Sequence, residues 1–364
     1  MMTSLVGQHV DALDTPALLI DRKVLLGNIE VIGASLRKLG TAWRPHAKAH
    51  KSPSIAHLLL EAGAHGITCA KTSEAEIYAA SGIRDILIAN QVVGPIKTRR
   101  LAQLARQADI AVAVDCLENA LEHDAAAAEA GTSPRLVIEI NSGMNRAGID
   151  PGDDTVELAK RIVALKHVRF GGVMTWEGHT TTVVDPAARE QAIHDSLAPV
   201  LESVLAIQDA GIDVPIVSCG GTGTFRTTAG IEGVTEVQAG GGIFGDQIYR
   251  ALGVPVQPAL SLLVTVTSRP APDRVIIDAG RKSLDPTAAL PEVQGLSNVQ
   301  SMSFSAEHGI INLSAPTADV RIGDRLQLLI GYSDQAVHLH EQFFVLDGNT
   351  VSSVWPTWAR GRLQ

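Results

Sequence analysis

Every second residue of the run Arg44-Pro45-His46-Ala47-Lys48-Ala49-His50 is basic or ionisable. Alternate side chains of a strand share a face, so Arg44, His46, Lys48 and His50 would project together. A solvated strand edge explains such a face as readily as a site does, because Lys and Arg usually stay in water. The chemistry on offer is covalent: a lysine amine adds to a carbonyl carbon and forms a Schiff base. Further along, Ser218-Cys219-Gly220-Gly221-Thr222-Gly223-Thr224 and Ala239-Gly240-Gly241-Gly242-Ile243-Phe244-Gly245-Asp246 are rich in glycine. Glycine lets backbone N–H groups approach an anion and adopt positive φ, and Thr222 and Thr224 could add hydroxyl donors. Either segment alone reads equally well as a turn.

The surrounding pattern indicates which elements would position these groups. Apolar runs at 41–46, 66–70, 85–90, 110–115, 135–141, 168–176, 215–219 and 234–239 alternate with helix-patterned segments such as 54–62, 73–80, 97–107, 154–165 and 187–210. Near-continuous apolar strands alternating with helices indicate a parallel sheet. Eight such units predict a (β/α)8 barrel, with a doubly wound open sheet as the competing arrangement. Beyond residue 250 the texture changes to strand-like runs at 256–267, 273–278, 299–303, 325–330 and 342–346, separated by Gly, Pro and Asp turns. The expected organisation is a barrel over 22–250 and a smaller, mostly β domain built from 1–21 and 251–364.

Barrel sites lie at the C-terminal ends of the strands, and phosphate is commonly held by the loops after strands seven and eight. Those loops are the two glycine-rich segments, which makes Gly221, Thr222, Gly223, Gly240 and Gly241 candidate phosphate-binding residues. Lys48 closes the first strand. A lysine and a phosphate nest at one barrel mouth suit pyridoxal 5'-phosphate, whose aldehyde needs the first and whose phosphate needs the second. Lys51 and Lys71 are read as supporting charges.

The 364 residues exceed what one core usually supports. A net charge of −9 and the lack of any long basic run argue against nucleic acid as a partner. No apolar run reaches the roughly 18 residues of a membrane span. The N-terminus shows no charged-then-apolar leader, so a soluble, unexported, cytoplasmic protein is expected. Cys69, Cys116 and Cys219 are odd in number and widely spaced, which indicates neither a disulfide framework nor a CxxC metal site.

Asp14-Thr15-Pro16-Ala17, Arg44-Pro45-His46-Ala47-Lys48-Ala49-His50-Lys51, Lys71-Thr72-Ser73-Glu74-Ala75-Glu76, Ala89-Asn90-Gln91 and Gly220-Gly221-Thr222-Gly223-Thr224 together resemble the D-threonine aldolase and D-serine dehydratase family. That family stands with alanine racemase among the fold-type III pyridoxal-phosphate enzymes. The resemblance spans nearly the whole chain. It implies a small amino-acid substrate, an internal aldimine on Lys48, and a homodimer whose active sites combine the barrel of one subunit with the β domain of the other. Asn141-Ser142-Gly143-Met144-Asn145-Arg146-Ala147-Gly148 is similar to the segment after the fifth racemase strand, which implies that Arg146 bonds the cofactor's phenolic oxygen. A carboxylate partner for Arg146 is the structural alternative. Trp176 stands where family members more often carry tyrosine, and Gln238 where racemases place an arginine toward the pyridine nitrogen.

The family's aldolases and dehydratases bind a divalent metal through a histidine beside a cysteine or aspartate. Here Gly331-Tyr332-Ser333-Asp334 has Tyr332 in the histidine's place and leaves Asp334 as a lone carboxylate, which puts the metal in doubt. His338 and His340, two apart on an expected strand, could complete a substitute site. Three reactions compete. An aldolase would use His179 or a metal-bound water as base, a dehydratase would remove the Cα proton through Lys48, and a racemase would need Tyr332 from the partner subunit as a second base. The missing metal histidine counts most against the dehydratase. The expected activity is an aldolase-type lyase on a D-configured or α-branched β-hydroxy-α-amino acid, and the second domain argues against a non-catalytic cofactor carrier.

Overall fold

The computed structural model describes residues 5–364; residues 1–4 of the expected first β segment lie outside the described residues. The described chain divides into two compact units, one of residues 32–48, 55–240 and 361–364 and one of residues 5–31, 49–54 and 241–360.

In the first unit eight strands, Ala42–Trp43, Ile67–Cys69, Asp85–Gln91, Asp109–Val114, Arg135–Glu139, Arg169–Met174, Ile216–Cys219 and Glu236–Val237, pair in parallel in chain order, with the last beside the first. A parallel bridge from His46 to Thr68 joins the two ends of this order, which selects the closed barrel over the open sheet. Ile110, Val112 and Val114 on one side and Ala111 and Ala113 on the other are all fully buried, as a strand covered on both faces must be. Leu87, Ala111, Ala113, Val137 and Met174 form one core cluster. The crossover helices carry ordinary end signals: Asp185 accepts the Ala188 N–H (2.8 Å) ahead of Pro186–Asp209, and Gly131 ends Leu117–Ala130 in the left-handed region.

The run 44–50 does not continue as a strand beyond His46, so alternation does not extend to Lys48 and His50. The pairing holds through His46, whose N–H donates to the Gln238 carbonyl (3.1 Å); Ala47–Ala49 then coils into a 3-10 turn, and Lys51 has a φ of 52°. Arg44 is 1% exposed, His46 is half-buried, Lys48 is exposed and His50 is buried. Arg44 belongs to a buried ion network instead: its Nε lies 2.9 Å from Glu236, its Nη1 2.8 Å from Asp85 and its Nη2 2.7 Å from His65.

Helix Leu117–Ala130 carries a buried titratable group on its inner face. Neither ring nitrogen of His123 has a hydrogen-bond partner among the described residues, and the Val92 carbonyl accepts from Asn119 Nδ2 (2.9 Å). Burial pushes the His123 imidazole down to about 4. The unfolded chain, titrating near 6.5, binds the proton first, so stability is full above about pH 6.5 and falls as pH drops toward 4, by about 3 kcal/mol in all. His123→Gln is expected to flatten that part of the profile, read as the urea midpoint at pH 7 and pH 5. An equally steep profile in the variant would assign the acid lability to another group.

The second unit is a nine-stranded sheet. Ala17–Asp21 lies in its middle, antiparallel to Leu260–Ala271 and parallel to Gln342–Asp347. The other pairings are antiparallel, through Arg274–Ile277, Gly309–Leu313 and Val299–Phe304 on one side, Thr350–Pro356 on the other, and Arg325–Leu329 with Glu292–Val293 off the main path. Val10, Leu13, Ala17, Leu19, Leu263, Leu346 and Val351 form its core. His338 and His340 do not sit on a strand as expected, because Val337–Leu339 is a 3-10 turn. No helix among the described residues is long and apolar enough to cross a membrane.

Candidate active site

The barrel unit contains Lys48, Arg146, Trp176, His179, Gly221, Thr222, Gly223, Gln238 and Gly240, each following the C-terminal end of a strand. Strand pairing places the first and eighth strand ends side by side. Trp43 Nε1 donates to the Ala239 carbonyl (2.7 Å), and a Cβ on Gly240 would fall 2.2 Å from the His46 carbonyl oxygen. Only glycine allows that approach. The Lys48 N–H meets His46 Nδ1 at 3.3 Å, and the lysine side chain is exposed.

Trp176 underlies the first glycine loop: a Cβ on Gly221 would lie 2.6 Å from Trp176 Cη2. Thr224 does not offer its hydroxyl to an anion as expected, because that hydroxyl donates to Glu177 (2.7 Å) and accepts the Gly221 N–H (3.2 Å). Gln238, buried, donates through Nε2 to Ser218 Oγ (2.9 Å).

Arg146 rides on a loop organised by Asn141, whose side-chain oxygen accepts the N–H groups of Gly143 (3.0 Å) and Asn145 (3.1 Å). Its guanidinium is half exposed and lies 3.5 Å from Glu139, which also accepts from Gln91 (2.7 Å). Glu139 is buried, but at 3.5 Å it meets only one guanidinium nitrogen, which leaves the other N–H groups of Arg146 for further partners. His179 packs against the same loop at Gly143. Ser196 Oγ donates to the Ala192 carbonyl (2.7 Å), so at 3.2 Å from His179 Nε2 it accepts from that nitrogen. This assigns the proton to Nε2 and leaves Nδ1, which has no partner among the described residues, as the basic nitrogen.

Gly241, Tyr332 and Asp334 belong to the other unit. Tyr249 packs over Gly241 and edge-on against Tyr332, with ring centroids 6.3 Å apart. Burial first, then the hydrogen-bonded Asp334, pushes the Tyr332 phenol well above its ordinary range. Asp246 pins this turn by accepting the N–H (2.9 Å) and hydroxyl (2.7 Å) of Ser333. The substitute metal site is not assembled. His340 Nε2 lies 2.7 Å from the Ser283 carbonyl, His338 Nδ1 lies 3.3 Å from the Asp334 carbonyl, and no three His, Cys, Asp or Glu side chains among the described residues are placed to hold an ion. This donor set does not fit a resident divalent metal.

The barrel mouth does fit a phosphate-bearing cofactor. Among the described residues no acceptor meets the N–H of Gly223 or that of buried Gly240, and unmatched backbone donors of this kind suit an anion. Two carboxylates, Glu177 and Glu139, organise the mouth and were missed from sequence. For Glu177 the available signal was a carboxylate ending one strand and two threonines, Thr224 and Thr228, spaced four apart after the next.

A closed parallel barrel with a lysine after its first strand and glycine loops after its seventh and eighth defines the alanine racemase-like class. Residues 20–248 match the alanine racemase N-terminal domain, and residues 259–346 match a putative serine dehydratase domain. The chain belongs to that family, in its D-threonine aldolase and D-serine dehydratase branch. It is 33% identical to a D-threonine aldolase of Arthrobacter sp. over 98% of its own length and 95% of the relative's. It is 32% identical to a 3-hydroxy-D-aspartate aldolase of Paracoccus denitrificans strain Pd 1222, covering 99% of this chain and 95% of that one. The crystal structure of D-threonine aldolase from Filomicrobium marinum superposes with a TM-score of 0.96 at 31% identity, covering 99% of this chain and 100% of that one.

Proposed function

We propose that this chain is a pyridoxal 5'-phosphate-dependent lyase that cleaves the Cα–Cβ bond of a D-configured or α-branched β-hydroxy-α-amino acid, releasing an amino acid and an aldehyde. The observation that carries this reading is end-to-end similarity to aldolases of β-hydroxy-D-amino acids. Lys48 would hold the cofactor through its amine, Gly221, Thr222, Gly223, Gly240 and Gly241 would take its phosphate, and Arg146 would face its phenolic oxygen. Trp176 and Gln238 would complete the wall. The bound cofactor supplies an electron sink for the pair left on Cα.

Bond cleavage also requires loss of the β-hydroxyl proton, and His179 would be the base that takes it. Proton removal by an imidazole suits aldol cleavage better than dehydration, which must expel hydroxide and gains most from a metal. The reading extends to a cytoplasmic homodimer, with 22–250 as cofactor domain, 1–21 and 251–364 as β domain, and the partner subunit's Tyr332 at the shared site. Its support is the family resemblance of the sequence.

Cofactor-loaded protein is expected to release aldehyde from D-threonine, D-phenylserine or α-methylserine, and to do so equally in EDTA. Keto acid as the sole product would move the assignment to a dehydratase, and an inverted enantiomer to a racemase.

A further inference from the structure

Glu177 has no part in the mechanism above, yet it is the most heavily committed carboxylate at the barrel mouth. It is fully buried directly after Trp176, beyond strand Arg169–Met174. Oε1 accepts the hydroxyls of Thr224 (2.7 Å) and Thr228 (2.6 Å), and Oε2 accepts the Gly220 N–H (3.2 Å). Because a carboxylate only accepts, both threonine hydroxyls must point their protons toward it. Thr224 Oγ1 is thereby left with lone pairs for the Gly221 N–H (3.2 Å). The chain Gly221 N–H to Thr224 O–H to Glu177 runs in one direction only.

We propose that Glu177 is the positioning residue of the phosphate loop. Its carboxylate fixes Gly220 and Thr224, the two ends of the segment, while the Trp176 ring supports Gly221 between them. The peptide groups in between, the Gly223 N–H among them, are held toward a phosphate monoester. A carboxylate placed here adds negative charge near an anion, so its contribution must come from geometry and not from attraction. The inference rests on the cofactor reading given above.

The amide of Glu177→Gln cannot reproduce the pattern. With its oxygen toward the threonines its NH2 opposes the Gly220 N–H; turned over, its NH2 faces two hydroxyls already oriented as donors. The test compares dissociation constants for pyridoxal 5'-phosphate and for pyridoxal, which lacks the phosphate, with far-UV circular dichroism as the check on folding. Wild type is expected to favour the phosphorylated form strongly. Glu177→Gln should lower that preference about tenfold or more while leaving pyridoxal affinity unchanged.

Thr224→Val, which breaks the same chain at its middle, should lower it likewise, and Thr224→Ser should restore it. The threonine pair decides the matter if Glu177→Gln does not fold. An unchanged preference in folded Glu177→Gln and Thr224→Val, or tighter phosphate binding in Glu177→Gln, would overturn the proposal. Wild type that does not distinguish the two ligands would instead overturn the cofactor reading itself.

Discussion

Lys48→Ala is expected to lower aldehyde release about 10³-fold or more, a barrier increase of about 4 kcal/mol, and to abolish the absorbance of covalently held cofactor. The fold should be untouched. The Lys48 side chain is exposed, and its contact with His46 Nδ1 is made by the main-chain N–H, which alanine keeps. Loss of turnover with an unchanged melting temperature therefore separates a chemical role from a structural one. Borohydride reduction of the loaded wild type followed by peptide mapping gives an independent readout, since the cofactor should be found on the peptide carrying Lys48. Attachment at Lys51 or Lys71, or undiminished turnover in the variant, would remove Lys48 from its assigned place. His179→Asn should behave differently. It keeps covalent attachment, and it should lose the part of the rate that depends on removing the β-hydroxyl proton, typically about 10²- to 10⁴-fold for a general base.

The barrel was legible because parallel strands buried on both faces are contiguous apolar runs, and the run 110–115, for example, needed a shift of only one residue to become Asp109–Val114. Strand Gly309–Leu313 was not legible. It begins at a glycine that lets Ile277 approach, a Cβ there falling 2.7 Å from Ile277 Cγ1, and that constraint is invisible until both strands are paired. At the site, the chemistry-bearing residue types were read from local motifs, whereas their commitments were not. A glycine loop with hydroxyls suggests that Thr224 could donate to an anion; a carboxylate 47 residues away claims that hydroxyl. Strand alternation groups Arg44 with Lys48, and alternation fails where Ala47–Ala49 leaves the ladder for a 3-10 turn. Period-two reasoning holds only as far as the backbone stays paired.

Arg44→Met is expected to cost about 3–5 kcal/mol of stability, the usual penalty for stripping one partner from a buried ion pair. The side chain is almost fully enclosed, and it spans Glu236 on the last strand and Asp85 on the third, with His65 between. Asp85 would keep Arg135 at 2.6 Å, so the loss falls on Glu236, which is buried and would retain the weaker partner His65 at 2.9 Å. In the native protein burial works to raise the Glu236 carboxyl, but the His65 hydrogen bond and the Arg44 charge outweigh it and hold the group below its usual range. Stability from that group is present above the unfolded carboxylate pKa and is lost as pH falls through the folded one.

Removing the guanidinium takes away one of the influences that hold the Glu236 carboxyl down, so its folded pKa should rise, and the variant should recover part of its deficit on mild acidification, as Glu236 takes up a proton. Adding Glu236→Gln should restore much of the loss at pH 7, giving a large coupling energy in a double-mutant cycle on urea midpoints. A small, pH-independent effect of Arg44→Met, or additive costs in the pair, would mean that the network fills space without closing the barrel electrostatically. Because the Arg44 guanidinium is committed to the buried network of Glu236, Asp85 and His65, turnover by the folded fraction should be unchanged, in contrast to Lys48→Ala. These opposite outcomes for two residues four apart separate the structural half of the basic run from its chemical half.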